Sequence, residues 1–282
     1  MGDLTGRAFL VTGANTGIGL ATARALAERG GRVTVACRSP EKGTAAVAGI
    51  VSATGNQAVR FLRLDLADLD SVRAAAADFL ARDEPLDVLV NNAGIAGRRG
   101  LTADGFELMF GVNHLGHFAF TLALLDRIRQ SAERGGGARI VIVSSDAHYQ
   151  ARGVDFAQVR RRTRAITGMP EYAVSKLCNV LFAQELARRL TGAGVTSYAL
   201  HPGVVASDIW RRVPWPVRPL LTRRMLTVEQ GARTSLYCAT APELAGQSGR
   251  FYDDCAAREP SPVATPDLAG RLWEQSEEWT SA

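Results

Sequence analysis

A single α/β domain, with a parallel sheet covered by helices on both faces, is predicted by three features of this chain. They are its length and composition, an alternation of strand and helix signals from end to end, and strands that are apolar throughout. At 282 residues the chain is longer than an average domain, yet α/β folds of this size commonly enclose one sheet. A hydrophobic fraction of 46% and a charged fraction of 22% are those of a globular protein, which excludes extended disorder and fibrous repeats.

The elements follow in order. Arg7 to Val11 reads as a short strand ending in a Gly-rich turn, and Leu20 to Arg29 continues with helical spacing. The pattern then predicts strand Arg32–Cys37 with helix Glu41–Ala53, strand Val59–Leu64 with helix Leu69–Ala81, and strand Leu86–Val90 with a long helical stretch Thr102–Gln130. Further strands are predicted at Ala138–Val143, Thr196–Leu200 and Arg250–Tyr252, with helices at Glu171–Leu190, Val228–Ala239 and near Pro266–Trp279. Strands without a polar face need cover on both sides. The chain therefore reads as one Rossmann-type, doubly wound sheet, a three-layer αβα sandwich over residues 1–282. Two segments break the rhythm: polar, Arg-rich 146–170, and 204–227, which carries Trp210, Trp215, three prolines and five arginines. Long irregular segments in a compact domain are usually functional, and the second is expected to be a substrate lid.

The formal charge is +5, with Arg far outnumbering Lys. The densest run, Arg160 to Arg164, has no interleaved aromatics and belongs to no base-reading module, so no nucleic-acid partner is expected. Cys37, Cys178, Cys238 and Cys255 show neither Cys-x-x-Cys spacing nor a nearby His cluster, so neither metal nor disulfide is expected and a reducing cytoplasm fits. A strand pattern begins within about six residues of Met1, and no apolar stretch reads as long enough for a membrane span. A cytoplasmic location is the resulting expectation.

After the first strand stands Thr12-Gly13-Ala14-Asn15-Thr16-Gly17-Ile18-Gly19. Gly13 permits the tight turn, Gly17 a close approach to a pyrophosphate, and Gly19 close packing of helix on strand; the phosphates then sit on helix amides. At the end of the second strand, where an acid would accept the ribose hydroxyls of NAD, the sequence reads Ala36-Cys37-Arg38-Ser39. A guanidinium suits a 2′-phosphate, so NADP(H) is favoured. Asp65-Leu66 ends the third strand, its carboxylate able to accept the adenine amino group. Asn91-Asn92-Ala93-Gly94 ends the fourth, where small residues let the chain pass close to the riboses.

Hydride transfer to a carbonyl needs a proton donor at the developing alkoxide. Tyr172 and Lys176, four apart, share one helix face, where the ammonium is expected to lower the phenol pKa. Ser145 ends a buried strand and can stabilise the substrate oxygen or merely cap the next segment. Asn113, within a long apolar helix, is an expensive burial unless paired; it is a candidate for holding a water between Lys176 and solvent. Tyr149 has Gly153, not a lysine, four residues on, and the four histidines read as structural.

In order and spacing these motifs resemble the short-chain dehydrogenase/reductase family along nearly the whole chain. Ala36-Cys37-Arg38, Val112 to Phe118, Tyr172 to Leu190, His201 to Val205, Tyr237-Cys238 and Leu272-Trp273 are similar to its retinol-dehydrogenase-like branch. The resemblance implies a tetrad of Asn113, Ser145, Tyr172 and Lys176. It also implies a nicotinamide-side segment at Pro202 and Gly203, with the Val205 amide and Ser207 hydroxyl contacting the carboxamide. It further implies a homo-oligomer, a dimer or tetramer, through the two long helices, whose apolar faces include Phe118-Ala119-Phe120 and Leu181-Phe182-Ala183. The interval from Ser145 to Tyr172 exceeds the family's usual spacing, as it does in this branch. The N-terminal membrane anchor of many retinol dehydrogenases is expected to be missing, which puts a membrane-derived retinoid substrate in doubt. A carbonyl or alcohol of a lipophilic small molecule is the leading substrate reading. Arg211, Arg212, Arg223 and Arg224 in the expected lid keep open a polar or anionic one. A non-catalytic NADP(H)-sensing module is the third reading, although such proteins typically lose the tyrosine or lysine retained here.

Overall fold

The computed structural model describes residues 2–204 and 226–281. Its strands are β1 (Ala8–Thr12), β2 (Arg32–Cys37), β3 (Val59–Arg63), β4 (Val88–Asn91), β5 (Ala138–Val143), β6 (Val195–His201), β7 (Arg250–Asp253) and β8 (Ala256–Arg258). Among the described residues they form one sheet in the order β3-β2-β1-β4-β5-β6-β7-β8, parallel except for the last pairing. The helices are α1 (Gly17–Glu28), α2 (Pro40–Thr54), α3 (Leu69–Leu80), α4 (Leu108–Glu133), α5 (Met169–Arg189), α6 (Val228–Thr240) and α7 (Pro266–Thr280).

Alternate residues of each strand feed different cores, as a period of two requires. Phe9 and Val11 of β1 pack with Leu26 of α1, Ile50 of α2 and Leu236 of α6. Leu10 packs on the other face, with Val72 of α3, Phe118 of α4 and Phe182 of α5. Both faces are buried, which is why the strands read as unbroken apolar runs.

Three expectations are corrected. The long helix starts at Leu108 rather than Thr102, because the Glu107 carboxylate accepts from the Met109 and Phe110 amides at 2.9 and 2.8 Å and so starts the helix there. An eighth strand, β8, pairs antiparallel with β7 across Asp254 and Cys255, both at positive φ. Finally, α4 spans 26 residues, and among the described residues it is long and apolar enough to cross a membrane; 67% of its most apolar window is buried inside the fold, as for a core helix.

Within α4, Gly111–Leu115 forms a π-turn. The insertion before α5 is clamped through Thr163, whose hydroxyl donates to Glu107 at 2.5 Å, and Glu171, which accepts from the Arg164 and Ala165 amides. It arches over a cavity of about 550 Å³. Helix α7 lies across α5 and α4, with Trp273 against Phe118 and Phe182. Phe118 and Phe182, from the apolar faces on which an oligomer was expected, are thus covered by the chain's own helix.

Candidate active site

The strand order reverses direction at β1, which has β2 on one side and β4 on the other; ligands of open α/β sheets bind at such a crevice. A cavity of about 440 Å³ opens there, and Gly13, Asn15, Thr16, Gly17, Ile18 and Gly19 all line it. Gly13 has φ 66°, and a Cβ on it would stand 2.9 Å from the Ala93 Cα. A Cβ on Gly19 would stand 2.6 Å from the Gly13 carbonyl oxygen. Those two glycines let loop, helix and β4 close on one another. Gly17 differs, with φ 56° and open space within 4 Å of its Cβ position. No acidic residue stands in the first turn of α1, whose amides are therefore placed as donors for an anion.

Across the cavity stand Arg38 and Ser39, with Lys42 in the first turn of α2, and Asp65 and Leu66 after β3. The Arg38 side chain is 76% exposed and meets the Asp65 carboxylate only at 3.9 Å. Ala93 and Gly94 line the opposite wall. Asn91 does not: its side chain is buried and donates to Thr121 Oγ1 at 2.8 Å. Asn92 takes the place expected of it, lining the cavity and donating to the Thr12 carbonyl at 2.8 Å. Pro202 and Gly203 follow β6 directly, whereas Val205, Ser207 and the lid except its ends lie outside the described residues.

The four tetrad residues come together past Gly94. A Cβ on Gly94 would stand 3.4 Å from Lys176 Nζ and 3.5 Å from Asn113 Oδ1. Asn113 is fully paired: Nδ2 donates to the Ile95 carbonyl at 3.0 Å and to Ser175 Oγ at 2.9 Å, and Oδ1 accepts from the Ile95 amide at 2.8 Å. Ser145 follows β5, accepts from the Ala147 amide at 3.2 Å and lies near enough to the Tyr172 phenol to hold its pKa down, so capping and site roles coexist in one hydroxyl. Lys176 Nζ lies 5.6 Å from the Tyr172 ring centroid and donates to the Val143 carbonyl at 3.0 Å.

Burial pushes the Tyr172 phenol above its ordinary value, and the Ser145 hydroxyl opposes that rise. Lys176 does not give the expected lowering of the resting phenol, because its ammonium loses its proton before the phenol does. Burial instead pulls the Lys176 ammonium down to about 8.

The sequence profile of the short chain dehydrogenase family matches residues 7–215. The chain belongs to the short-chain dehydrogenase/reductase family. Retinol dehydrogenase 11 of Homo sapiens is 46% identical over 279 residues, covering 97% of this chain and 86% of its own length, which places the chain in the retinol-dehydrogenase-like branch. Among solved structures, an uncharacterized protein from Mycobacterium Paratuberculosis is 34% identical with a TM-score of 0.79, covering 100% of this chain and 96% of that one. The Pseudomonas aeruginosa RhlG/NADP active-site complex is 25% identical with a TM-score of 0.71, covering 93% and 98%. Membership makes the chain an oxidoreductase of alcohols and carbonyls that uses a nicotinamide cofactor.

In this dehydrogenase/reductase, side chains without a motif of their own complete the site. Asn179 Nδ2 donates at 3.1 Å to the Val143 carbonyl that also holds Lys176; its place three residues after the lysine was the available signal. Thr12 Oγ1 accepts from the Asn92 and Ala93 amides, each at 2.9 Å. Tyr149 is spent elsewhere, donating to the Glu259 carbonyl at 2.5 Å. His148 pairs with the Ser145 carbonyl and the Ser261 amide.

Proposed function

We propose that this enzyme moves a hydride between NADP(H) and a carbonyl or alcohol of a lipophilic small molecule, with Tyr172 handling the proton. The observation that carries the reading is the convergence of Ser145, Tyr172, Lys176 and Asn113 beside Gly94, at one end of a cleft that begins at the glycine loop. The cleft fits a dinucleotide. The open Gly17 and the first-turn amides of α1 suit the pyrophosphate, Asp65 suits the adenine end, and Ala93-Gly94 leave room for the nicotinamide ribose. Arg38 and Lys42, with no carboxylate ending β2, favour a 2′-phosphate. The NADP in the similar RhlG complex supports that preference, and the similarity to a retinol dehydrogenase supports a lipophilic alcohol or aldehyde.

When bound, the reduced cofactor supplies the hydride. As negative charge builds on the carbonyl oxygen, Tyr172 Oη donates its proton there and Ser145 Oγ donates a second hydrogen bond. Lys176, with a pKa of about 8, is mostly cationic at neutral pH and steadies the phenolate left behind. Tyr172→Phe removes only the proton donor. Turnover of a carbonyl panel, followed by NADPH absorbance, should fall at least about a hundredfold, while NADPH binding measured by fluorescence stays unchanged. Wild-type turnover in the variant refutes the reading.

A further inference from the structure

His117 lies one helical turn beyond Asn113 and is 1% exposed. Its Nδ1 is 3.0 Å from the Asn113 main-chain carbonyl oxygen, and its Nε2 is 2.8 Å from Thr12 Oγ1. We propose that His117, held as the neutral Nδ1–H tautomer, is a positioning residue that locks the π-turn bearing Asn113 to the ends of β1 and β4 that border the cofactor cleft. Its functional meaning rests on the site reading above.

Donor and acceptor counting assigns every proton in this network. A carbonyl oxygen only accepts, so Nδ1 carries the hydrogen and Nε2 holds a lone pair; the Thr12 hydroxyl, 2.8 Å from Nε2 but 3.5 Å from its other acceptor, the Val90 carbonyl, donates to the ring. The two lone pairs of Thr12 Oγ1 are filled by the Asn92 and Ala93 amides. Moving the proton to Nε2 sets a donor against a hydroxyl already receiving two donors and turns a lone pair towards the Asn113 carbonyl. An imidazolium meets the same obstruction at Nε2. Burial agrees, pulling His117 down to about 4, with the nearby Lys176 charge acting in the same direction.

The lock joins parts that both halves of the reaction need. On one side the π-turn at Gly111–Leu115 carries Asn113, whose side chain fixes Ile95 and Ser175 next to Lys176. On the other, Thr12 holds the Asn92-Ala93 turn on which Gly13 packs. His117 supports both from behind the cleft.

Three substitutions separate this role from core filling. In His117→Asn the amide nitrogen stands near the Nδ1 position and keeps the bond to Asn113; in His117→Gln the amide oxygen stands near Nε2 and keeps the bond from Thr12; His117→Phe keeps shape alone. The Asn variant should raise the KM for NADPH about tenfold at near-normal kcat, and the Gln variant should lower kcat about tenfold at near-normal KM. Phe should do both, each tenfold step being about 1.4 kcal/mol, the scale of one hydrogen bond. A Phe variant with wild-type values, or three variants whose parameters fall together with their denaturation midpoints, overturns the lock. Nitrogen-15 NMR of labelled histidine tests it without turnover: His117 should show a protonated Nδ1 and a bare Nε2 from about pH 5 to about pH 8. A protonated Nε2 in that range overturns the lock. The stated tautomer in a protein that turns nothing over overturns the functional reading and leaves the lock standing.

Discussion

At the scale of single residues, the NADP(H) reading turns on the end of β2. Arg38 is mostly exposed and loosely held by Asp65, so little existing structure must be broken for it to engage a phosphate. A charge-assisted hydrogen bond contributes roughly 1.5–3 kcal/mol, a preference of about ten- to a hundredfold. Lys42 lines the same wall, so the informative variant is Arg38→Asp with Lys42→Ala. It should favour NADH, because the attraction is replaced by repulsion and by an acceptor for the ribose hydroxyls. Specificity constants for both cofactors check this, and retention of the full NADPH preference refutes it. The positions of Arg38 at the cleft and of Lys176 beside Tyr172 were legible in the sequence because they are set by local spacing, a strand end or one helical turn. Thr12 with His117 was not, because that contact joins positions 105 residues apart. Asn91 and Asn92 are chemically identical neighbours, and only the strand's pleat decides which one faces the cleft.

At the scale of elements, α4 buries two histidines without charge. Burial pulls His114 down to about 3 and His117 to about 4 from an ordinary 6.5. The unfolded chain takes up protons that these rings refuse in the fold, so their contribution is intact above about pH 6.5 and is lost as pH falls towards 4. Each unit of difference corresponds to about 1.4 kcal/mol. His114 sits among Phe110, Phe118 and Phe182, where a phenyl ring fits. His114→Phe should therefore flatten the decline in urea midpoint between about pH 6.5 and pH 4, and an unchanged decline refutes the assignment. Most elements were legible because strands buried on both faces and helices buried on one leave different periods in the sequence. β8 escaped because its hairpin turns through Asp254 and Cys255 at φ 44° and 62°, where such turns usually carry glycine. The start of α4 escaped because Glu107, a buried carboxylate, does the work usually given to Ser, Thr, Asp or Asn.

For the whole molecule, the question is what covers the apolar backs of α4 and α5. The sequence reading assigned that task to a second copy of the chain, since faces built from Phe118 and Phe182 look the same whether they await a partner or a segment of their own chain. In the fold α7 occupies them. Trp273 stacks edge-on against Phe118 at 5.0 Å, with the Arg189 guanidinium 4.3 Å from its ring centroid. His114 pairs with Ser276 at 3.2 Å, and Trp279 packs 5.3 Å from Phe106. A second copy pairing through Phe118 and Phe182 would have to displace this helix, and truncating one such tryptophan to alanine costs about 3–5 kcal/mol. A homo-oligomer of the full chain, where light scattering at micromolar concentration finds one, is therefore expected to pair elsewhere than through Phe118 and Phe182. Trp273→Ala should lower stability by about that amount, and removal of residues 262–282 should cause self-association by baring Phe106, Phe110, Phe118 and Phe182. A full-length dimer with cysteines placed on α5 cross-linking between copies contradicts this account of α7, whereas association confined to the truncated chain supports it.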